Sequence, residues 1–378
     1  MIPLKIALIN EVHTAGATRC AKDLERYLSA RHVVRYFPER EKEPTASLLG
    51  KLAEFEPDVV HCHSYYGDLP YRFLATVSHR YPTCFTPHDP RPIGTMLPIC
   101  WECSRANWCF RCHLVGRYRK LLLLNPYFWR RLYKRYIHLS ASQTLTIIAP
   151  GAWLYTRLLA TELSRFDIRS IPCGTDLQRF QPIEHARSIL GLPEDNRILL
   201  HVAHPVGGWQ FDHRKGLQYL ADAFLQIILP KYPDTLLLIA GEKVVPNHPN
   251  VRPLGFVNQE MLPLYYSAAD VFVAPTLADS LTYTVREAMG CETPVVASNV
   301  GGMKEGIEDG ITGYLVPPAD VAALGQALVT ILQDRATCHE MGKACRLNVQ
   351  KIAGMDAFIQ QHESLYLEIA KRDTSRGA

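Results

Sequence analysis

Val271-Phe-Val-Ala-Pro-Thr-Leu-Ala-Asp279-Ser280-Leu281-Thr282-Tyr-Thr-Val-Arg-Glu287-Ala-Met-Gly-Cys-Glu-Thr-Pro-Val-Val-Ala297 is the stretch from which the fold is read. Val271–Ala274 is a short apolar run closed by Pro275. A polar loop follows, then helical spacing over Thr282–Met289, then a second apolar run at Pro294–Ala297. Strand, loop, helix and strand in that order form a βαβ unit, so the strands are expected to run parallel. A helix start presents unsatisfied N–H groups and about half a positive charge, which suits a phosphate. Asp279 and Glu287 are carboxylates on either side of that start. One can face sugar hydroxyls and the other a diol, because carboxylate oxygens accept charge-assisted hydrogen bonds. The spacing alone serves equally for an ordinary turn with solvated acids near a helix start.

The same grammar extends outward. Upstream within the second half, strands are expected at Ile198–Val202 and Thr235–Ala240, with helices over Gly216–Ile228 and Glu260–Ala269. Downstream come a strand at Tyr314–Val316 and a helix at Val321–Leu332. The first half repeats it. Ile6–Ile9, Val33–Phe37, Val59–His61, Cys84–Thr86 and Thr144–Ala149 read as strands. Thr18–Leu28, Ser47–Phe55, Tyr71–His79 and a segment from Ala152 read as helices. Two consecutive α/β series imply two doubly wound domains with ligands beyond the C-terminal strand ends. The boundary is placed near Cys173–Phe180, giving domains 1–175 and 176–355. A last helix over 356–378 is expected to pack back on the N-terminal domain.

The size agrees with this division, since 378 residues exceed the ~100–200 usual for one domain. Apolar residues make up 47% of the chain and the net charge is +4, which argues against wholesale disorder and gives no sign of nucleic acid. No run of ~18 apolar residues suggests a membrane span, and the N-terminus does not read as a signal peptide. A cytoplasmic location is the resulting expectation. The 11 cysteines, an odd number scattered over a large chain, read as reduced thiols.

The segment quoted above resembles the acidic-x7-acidic signature of glycosyltransferase family 4, E-G-F-G-L-x-x-x-E-A-M-A-C-G-x-P-V-V-A. The match runs through Asp279, Ser280 and Leu281, then Glu287-Ala288-Met289-Gly290-Cys291, then Thr293-Pro294-Val295-Val296-Ala297. It continues through Val300-Gly301-Gly302-Met303-Lys304-Glu305 and Asp309-Gly310-Ile311-Thr312-Gly313-Tyr314-Leu315-Val316-Pro317-Pro318. Ile171-Pro-Cys173-Gly-Thr-Asp176 resembles the family's I-P-N-G-x-D. The likeness is dense over 170–335 and scattered over 1–170. Two departures stand out. The first acid is Asp279 rather than Glu, one methylene shorter, and Thr282 replaces a glycine.

The resemblance implies a GT-B fold, two Rossmann-like domains facing a central cleft. It implies a retaining, hexosyltransferase-like enzyme that takes a UDP-, GDP- or ADP-sugar and a saccharide or lipid-linked acceptor, in cell-surface polysaccharide or glycolipid synthesis. It assigns Lys215 to the donor diphosphate, with Arg214 beside it, because fixed cations stabilise the leaving negative charge. Ser280, Leu281 and Thr282 would line the donor, Asp279 would hold sugar hydroxyls and Glu287 the ribose. Gly16 is what remains of a glycine-rich turn after the first strand. His88, in His88-Asp89, matches the family's His-Asp near the donor sugar. A lone Arg-Lys pair or a single glycine would otherwise be a solvated helix start or a plain turn. No Asp-x-Asp occurs in the chain, so no cofactor is expected to be required for catalysis. A GT-B sugar-nucleotide epimerase, or a catalytically weak membrane-docked binding protein, are the alternatives.

Two further features concern the first half. His61 and His63 sit two apart at a strand end, where structural roles are commoner than metal binding. Cys100-x2-Cys103-x5-Cys109-x2-Cys112 pairs two knuckles of the zinc type across a short spacer. Structural zinc, plain thiols or disulfides, and an iron–sulfur cluster all fit it. The segment from Cys103 to Thr161 holds ten Arg or Lys and no Asp or Glu. Arg117, Arg119, Lys120, Arg130, Arg131, Lys134 and Arg135 alternate there with leucines and aromatics. Such a surface suits anionic lipid and peripheral attachment to the inner face of the membrane, or equally a basic helix packed on its own domain. Zinc bound at the four cysteines would appear as stoichiometric metal by elemental analysis of protein purified without chelator, falling in a Cys103→Ser/Cys109→Ser variant. Metal-free protein would refute it.

Overall fold

The apolar runs Ile6–Ile9, Val59–His61, Cys84–Thr86 and Leu145–Ala149 become buried strands, because a parallel sheet with helices on both faces leaves an inner strand no solvent side, whereas the edge run Val33–Phe37 buries only Phe37. The computed structural model describes residues 2–10, 15–37, 43–63, 71–88, 145–203, 213–241, 245–280 and 283–374. The four cysteines from Cys100 to Cys112, the basic residues 117–135, and Leu281 and Thr282 lie outside the described residues. The chain divides into two units, Met1–Cys173 with Asp356–Ala378, and Gly174–Met355.

In the N-terminal unit the order is β1 (Lys5–Asn10), α1 (Ala15–Leu28), β2 (Val33–Phe37), α2 (Thr45–Phe55), β3 (Val59–His63), α3 (Tyr71–Ser78), β4 (Thr83–Thr86), β5 (Leu145–Ala149), α4 (Ala152–Leu159) and β6 (Asp167–Ser170). The sheet order is β2-β1-β3-β4-β5-β6, with every pairing parallel. The chain therefore leaves β1 to one side and returns on the other, making a switch point between β1 and β3.

The C-terminal unit comprises α5 (Ala186–Ile189), β7 (Ile198–Val202), α6 (Leu217–Ala223), β8 (Leu236–Ala240), β9 (Val251–Gly255), α7 (Leu262–Ala268), β10 (Val271–Ala274), α8 (Tyr283–Gly290), β11 (Val295–Ser298), β12 (Gly313–Val316), α9 (Val321–Leu332) and α10 (Arg335–Ala353). Its parallel order is β12-β11-β10-β7-β8-β9, with the switch point between β7 and β10. Alternation sorts the strand residues into two cores. Ile198, Leu200, Leu236 and Leu238 join the cluster on one face, Leu199, Leu237 and Ile239 that on the other. Helix α6 continues through a π-helical turn at Phe224–Ile228 into Leu229–Lys231.

Strand β6, the short helix α5 and helix α10 escape the sequence reading, whereas Val251-Arg-Pro-Leu-Gly255 resembles the family's strand-and-turn and does form a strand. Strand β6 is a polar, half-exposed edge. Strand β9 is also an edge strand and carries Pro253, which is tolerated because an edge position leaves one row of N–H groups unneeded. Helix α10 did carry a signal, with buried Cys338, Met341, Cys345 and Val349 at helical spacing.

The last helix, α11 (Met355–Thr374), belongs almost wholly to the N-terminal unit. It buries Phe358, Ile359, Leu365, Tyr366 and Ile369, each worth roughly 1.5–3 kcal/mol of apolar transfer when fully enclosed. A polar core fixes its place. His61 on β3 bonds the Tyr366 hydroxyl through Nδ1 at 2.6 Å and Thr86 Oγ1 through Nε2 at 2.7 Å. His362 stacks on His61 with centroids 5.7 Å apart, and Glu363 meets His32 at 3.0 Å and Arg31 at 3.1 Å. Among the described residues, no helix is long and apolar enough to cross a membrane.

Burial holds these imidazoles neutral. It drives the pKa of His362 down to about 4, and of His61 and His63 well below 6.5, the latter two also opposed by neighbouring histidines. His201 in β7 is likewise lowered to about 4 by burial. A histidine with a depressed folded pKa leaves the unfolded chain to take up the proton first. Its stability is complete above about pH 6.5 and drains as pH falls toward the folded pKa. Each group sets a slope of up to ~1.4 kcal/mol per pH unit in that window. Urea unfolding of chelator-treated protein should therefore show midpoints falling steeply between pH 6.5 and 4.5, and a flat profile would refute the neutral histidine core.

Candidate active site

The loops that leave the β7/β10 switch point carry the residues expected to meet a donor. After β7 the chain reaches a 3₁₀ turn, His213–Lys215, and enters α6 through Gly216. After β10 it passes Pro275 and Thr276 to Asp279 and Ser280. Lys215 Nζ lies 2.9 Å from Asp279 Oδ2, with both side chains three-quarters or more covered. The sequence separates these two by 64 positions; the parallel pairing of β7 with β10 brings their exits side by side.

Backbone contacts lock the two exits together. The Arg214 carbonyl accepts from Leu277 N–H at 2.7 Å and from Thr276 Oγ1–H at 2.8 Å. Gly216 has φ +72°, and a Cβ there would land on the Pro275 carbonyl. Only glycine supplies both the left-handed backbone and the missing atom. Gly301, at φ +54°, does the same beneath the Asp279 carbonyl. The Gly301-Gly302 turn thus supports the backbone that presents Asp279 and the buried Ser280.

Glu287 lies on α8, 2% exposed. The buried Tyr266 hydroxyl donates to its Oε2 at 2.9 Å, and the Tyr266 ring packs edge-on against Phe272 and Phe180. Tyr266 is absent from the sequence-level site because it reads as a core aromatic on α7. So is His201, which lies within an apolar run. The Val273 carbonyl accepts from His201 Nδ1–H at 2.9 Å, and in the neutral ring Nε2 is then a buried lone pair with no hydrogen-bond partner among the described residues. The charge of Lys215 further lowers its pKa. A histidine inside an otherwise aliphatic strand was the available signal.

In the N-terminal unit Gly16 lies in the first turn of α1, not in a turn ahead of it. His88 follows β4, half-buried, with Nε2 3.2 Å from Nδ1 of His63. Arg214, Lys215, Asp279, Ser280 and Glu287 all belong to the other unit. The structure therefore gathers Lys215 with Asp279 directly, and Arg214 with them through its backbone. Arranged so, a cation and an acid at the strand ends can hold a phosphate group and a polyol, and a buried carboxylate behind them can accept from a diol.

Two doubly wound units of this topology define a GT-B protein, and comparison with known proteins agrees. Residues 12–179 match the model described as Glycosyltransferase Family 4, and residues 203–334 match Glycosyl transferases group 1. Together they take in most of the chain, which belongs to the family 4 glycosyltransferases. The fold is similar to a sucrose-phosphate synthase from Thermosynechococcus elongatus, with TM-score 0.73 and 24% identity, covering 97% of this chain and 99% of that one. It is similar also to HepE of Anabaena, solved with UDP-glucose, with TM-score 0.71 and 17% identity, covering 98% and 100%. At these identities the likeness speaks to the fold. Among curated relatives, the sulfoquinovosyl transferase SQD2 of Arabidopsis thaliana is 26% identical over 80% of this chain and 55% of its own length. A D-inositol 3-phosphate glycosyltransferase of Arthrobacter is 31% identical over 47% and 45%. The chain spans about half the length of the curated relatives it matches.

The packing at Gly216 has a measurable consequence. Gly191 shares the left-handed backbone, φ +63°, but has open space where a Cβ would go. Gly191→Ala should cost only the conformational term, ~1–2 kcal/mol. Gly216→Ala adds a clash with strand-exit backbone, so it should lower the unfolding free energy by clearly more. Equal losses by urea titration would refute the proposed role of that close approach.

Proposed function

We propose that the protein is a glycosyltransferase that moves a hexosyl group from a nucleoside-diphosphate sugar to an acceptor hydroxyl with retention. The observation that carries this is the Lys215–Asp279 pair at the β7/β10 switch point, with Glu287 buried on the helix that follows. Open α/β sheets bind ligands at this position, and the family membership gives these residues their chemistry. Lys215 and Arg214 would carry the diphosphate charge as the sugar–phosphate bond breaks. Asp279, with Ser280, Leu281 and Thr282 beside it, would hold the sugar. Glu287, oriented by Tyr266, would accept from the ribose diol. The Lys215–Asp279 ion pair must open or be shared when the donor arrives, so the donor's phosphate and hydroxyls replace one charge contact by two.

No carboxylate among these is assigned as a covalent nucleophile, so same-face transfer is the reading that retention calls for: the departing diphosphate takes the acceptor proton as the acceptor oxygen bonds the anomeric carbon. In the N-terminal unit, His88 would orient the sugar or the acceptor hydroxyl, and Gly16 would let the start of α1 approach the ligand. A saccharide or lipid-linked acceptor and a peripheral place at an anionic membrane fit the basic stretch 117–135, as would a role in cell-surface polysaccharide or glycolipid synthesis.

A donor panel of UDP-, GDP- and ADP-sugars tests the proposal, beginning with UDP-glucose because HepE was solved with it. Sugar release or transfer should occur with one base class, and NMR of the product should show the anomeric configuration of the donor. Lys215→Ala and Glu287→Ala should each reduce kcat/KM by ~10²–10³. Unchanged turnover in both would overturn the site assignment, and an inverted product would overturn retention.

A further inference from the structure

The N-terminal unit has a switch point of its own, between β1 and β3, and the side chains gathered there are of a different kind. His63 ends β3 opposite Asn10 of β1 and Thr86 of β4. His88 lies two residues beyond β4, and Cys20 projects from the second turn of α1. One ligating atom from each of Cys20, His63 and His88 falls within 4.8 Å of the other two. Cys20 and His63 are 2% and 1% exposed, whereas His88 is half-buried.

Two observations bear on what this group does. First, Nδ1 of His63 and Nε2 of His88 are 3.2 Å apart. Two nitrogens on a tetrahedral zinc, each ~2.0–2.1 Å from it, would be about 3.3 Å apart. Second, Sγ of Cys20 lies 3.7 Å from Sγ of Cys173, a second thiol just outside the group. Cys173 stands where the family pattern I-P-N-G-x-D has asparagine, so the sulfur beside Cys20 is a departure of this chain.

We propose that Cys20, His63 and His88 form a binding site for a divalent ion of the zinc class. Mixed thiolate and imidazole ligands favour zinc over the hard cations, which take oxygen. The site is distinct from the four-cysteine cluster and does not depend on the glycosyl-transfer reading. Should that reading also hold, an ion on Nε2 of His88 would put the proton on Nδ1 and make that edge a fixed N–H donor.

Cobalt(II) is the probe. It occupies zinc sites and reports tetrahedral thiolate ligation through visible bands and a sulfur charge-transfer band. Full-length, chelator-stripped protein bearing Cys103→Ser and Cys109→Ser removes the other cluster's contribution. In that background cobalt should bind at a single equivalent with both spectral features, and both Cys20→Ser and His63→Gln should abolish them. If the background does not fold, elemental analysis of the otherwise unaltered chain should show one fewer zinc in each of the two variants, with near-UV circular dichroism confirming their fold. Absence of cobalt binding in the folded background, or equal metal content with and without Cys20 and His63, would overturn the proposal. Neither result touches the donor-site assignment, which is read by turnover.

Discussion

The ion pair between Lys215 and Asp279, 2.9 Å long, is the contact around which the C-terminal unit is arranged. Opposite charges that are mostly covered give up hydration, and they are retained only where the geometry repays it. Here the repayment comes from the backbone. The Arg214 carbonyl takes two hydrogen bonds from the β10 exit, Gly216 lets α6 begin against Pro275, and the Gly301 turn props Asp279 from below. None of these contacts is local in sequence. The first two exist because β7 and β10 are neighbours, where an open parallel sheet reverses its winding, and the third because β11 pairs on the other side of β10.

The two units answer the same topology with different chemistry. At the β7/β10 switch point the exits carry a lysine and an aspartate, a pairing suited to an anionic, hydroxyl-rich ligand. At the β1/β3 switch point they carry histidines and thiols. The histidines extend into a buried stack through His61 and His362 to Tyr366, so α11 is held by polar as well as apolar contacts. Burial explains both its neutrality and its demand for partners: an imidazole inside a core is stable uncharged, and each nitrogen then needs a hydrogen bond or a metal.

Much of this was legible in the residues. Apolar runs such as Ile198–Val202 and Val271–Ala274 become strands as their composition requires, and the parallel sheets follow from alternation with helices. Edge strands were harder. Asp167–Ser170 and Val251–Gly255 owe their conformation to a neighbour's hydrogen bonds, not to their own hydrophobicity. Helix α10 showed its period plainly in Cys338, Met341, Cys345 and Val349. Of the site residues, Asp279 and Glu287 stood out by charge and motif, whereas Tyr266 and His201 looked like core because they are core. Each meets the candidate site's neighbourhood through one polar atom: the Tyr266 hydroxyl reaches Glu287, and His201 carries a nitrogen near Lys215.

The sequence by itself determined the α/β alternation, the GT-B family and the residue types with the charge for phosphate and sugar, because periodicity and motif are local properties. Only the tertiary structure decided which of those residues meet. Lys215 and Asp279 pair across 64 positions. Tyr266 reaches Glu287 from the preceding helix, and Cys20, His63 and His88 converge from one helix and two strand ends. The physical reason is strand order: hydrogen bonding between strands far apart in the chain sets which exits are adjacent, and no stretch of sequence shorter than the whole sheet contains that information.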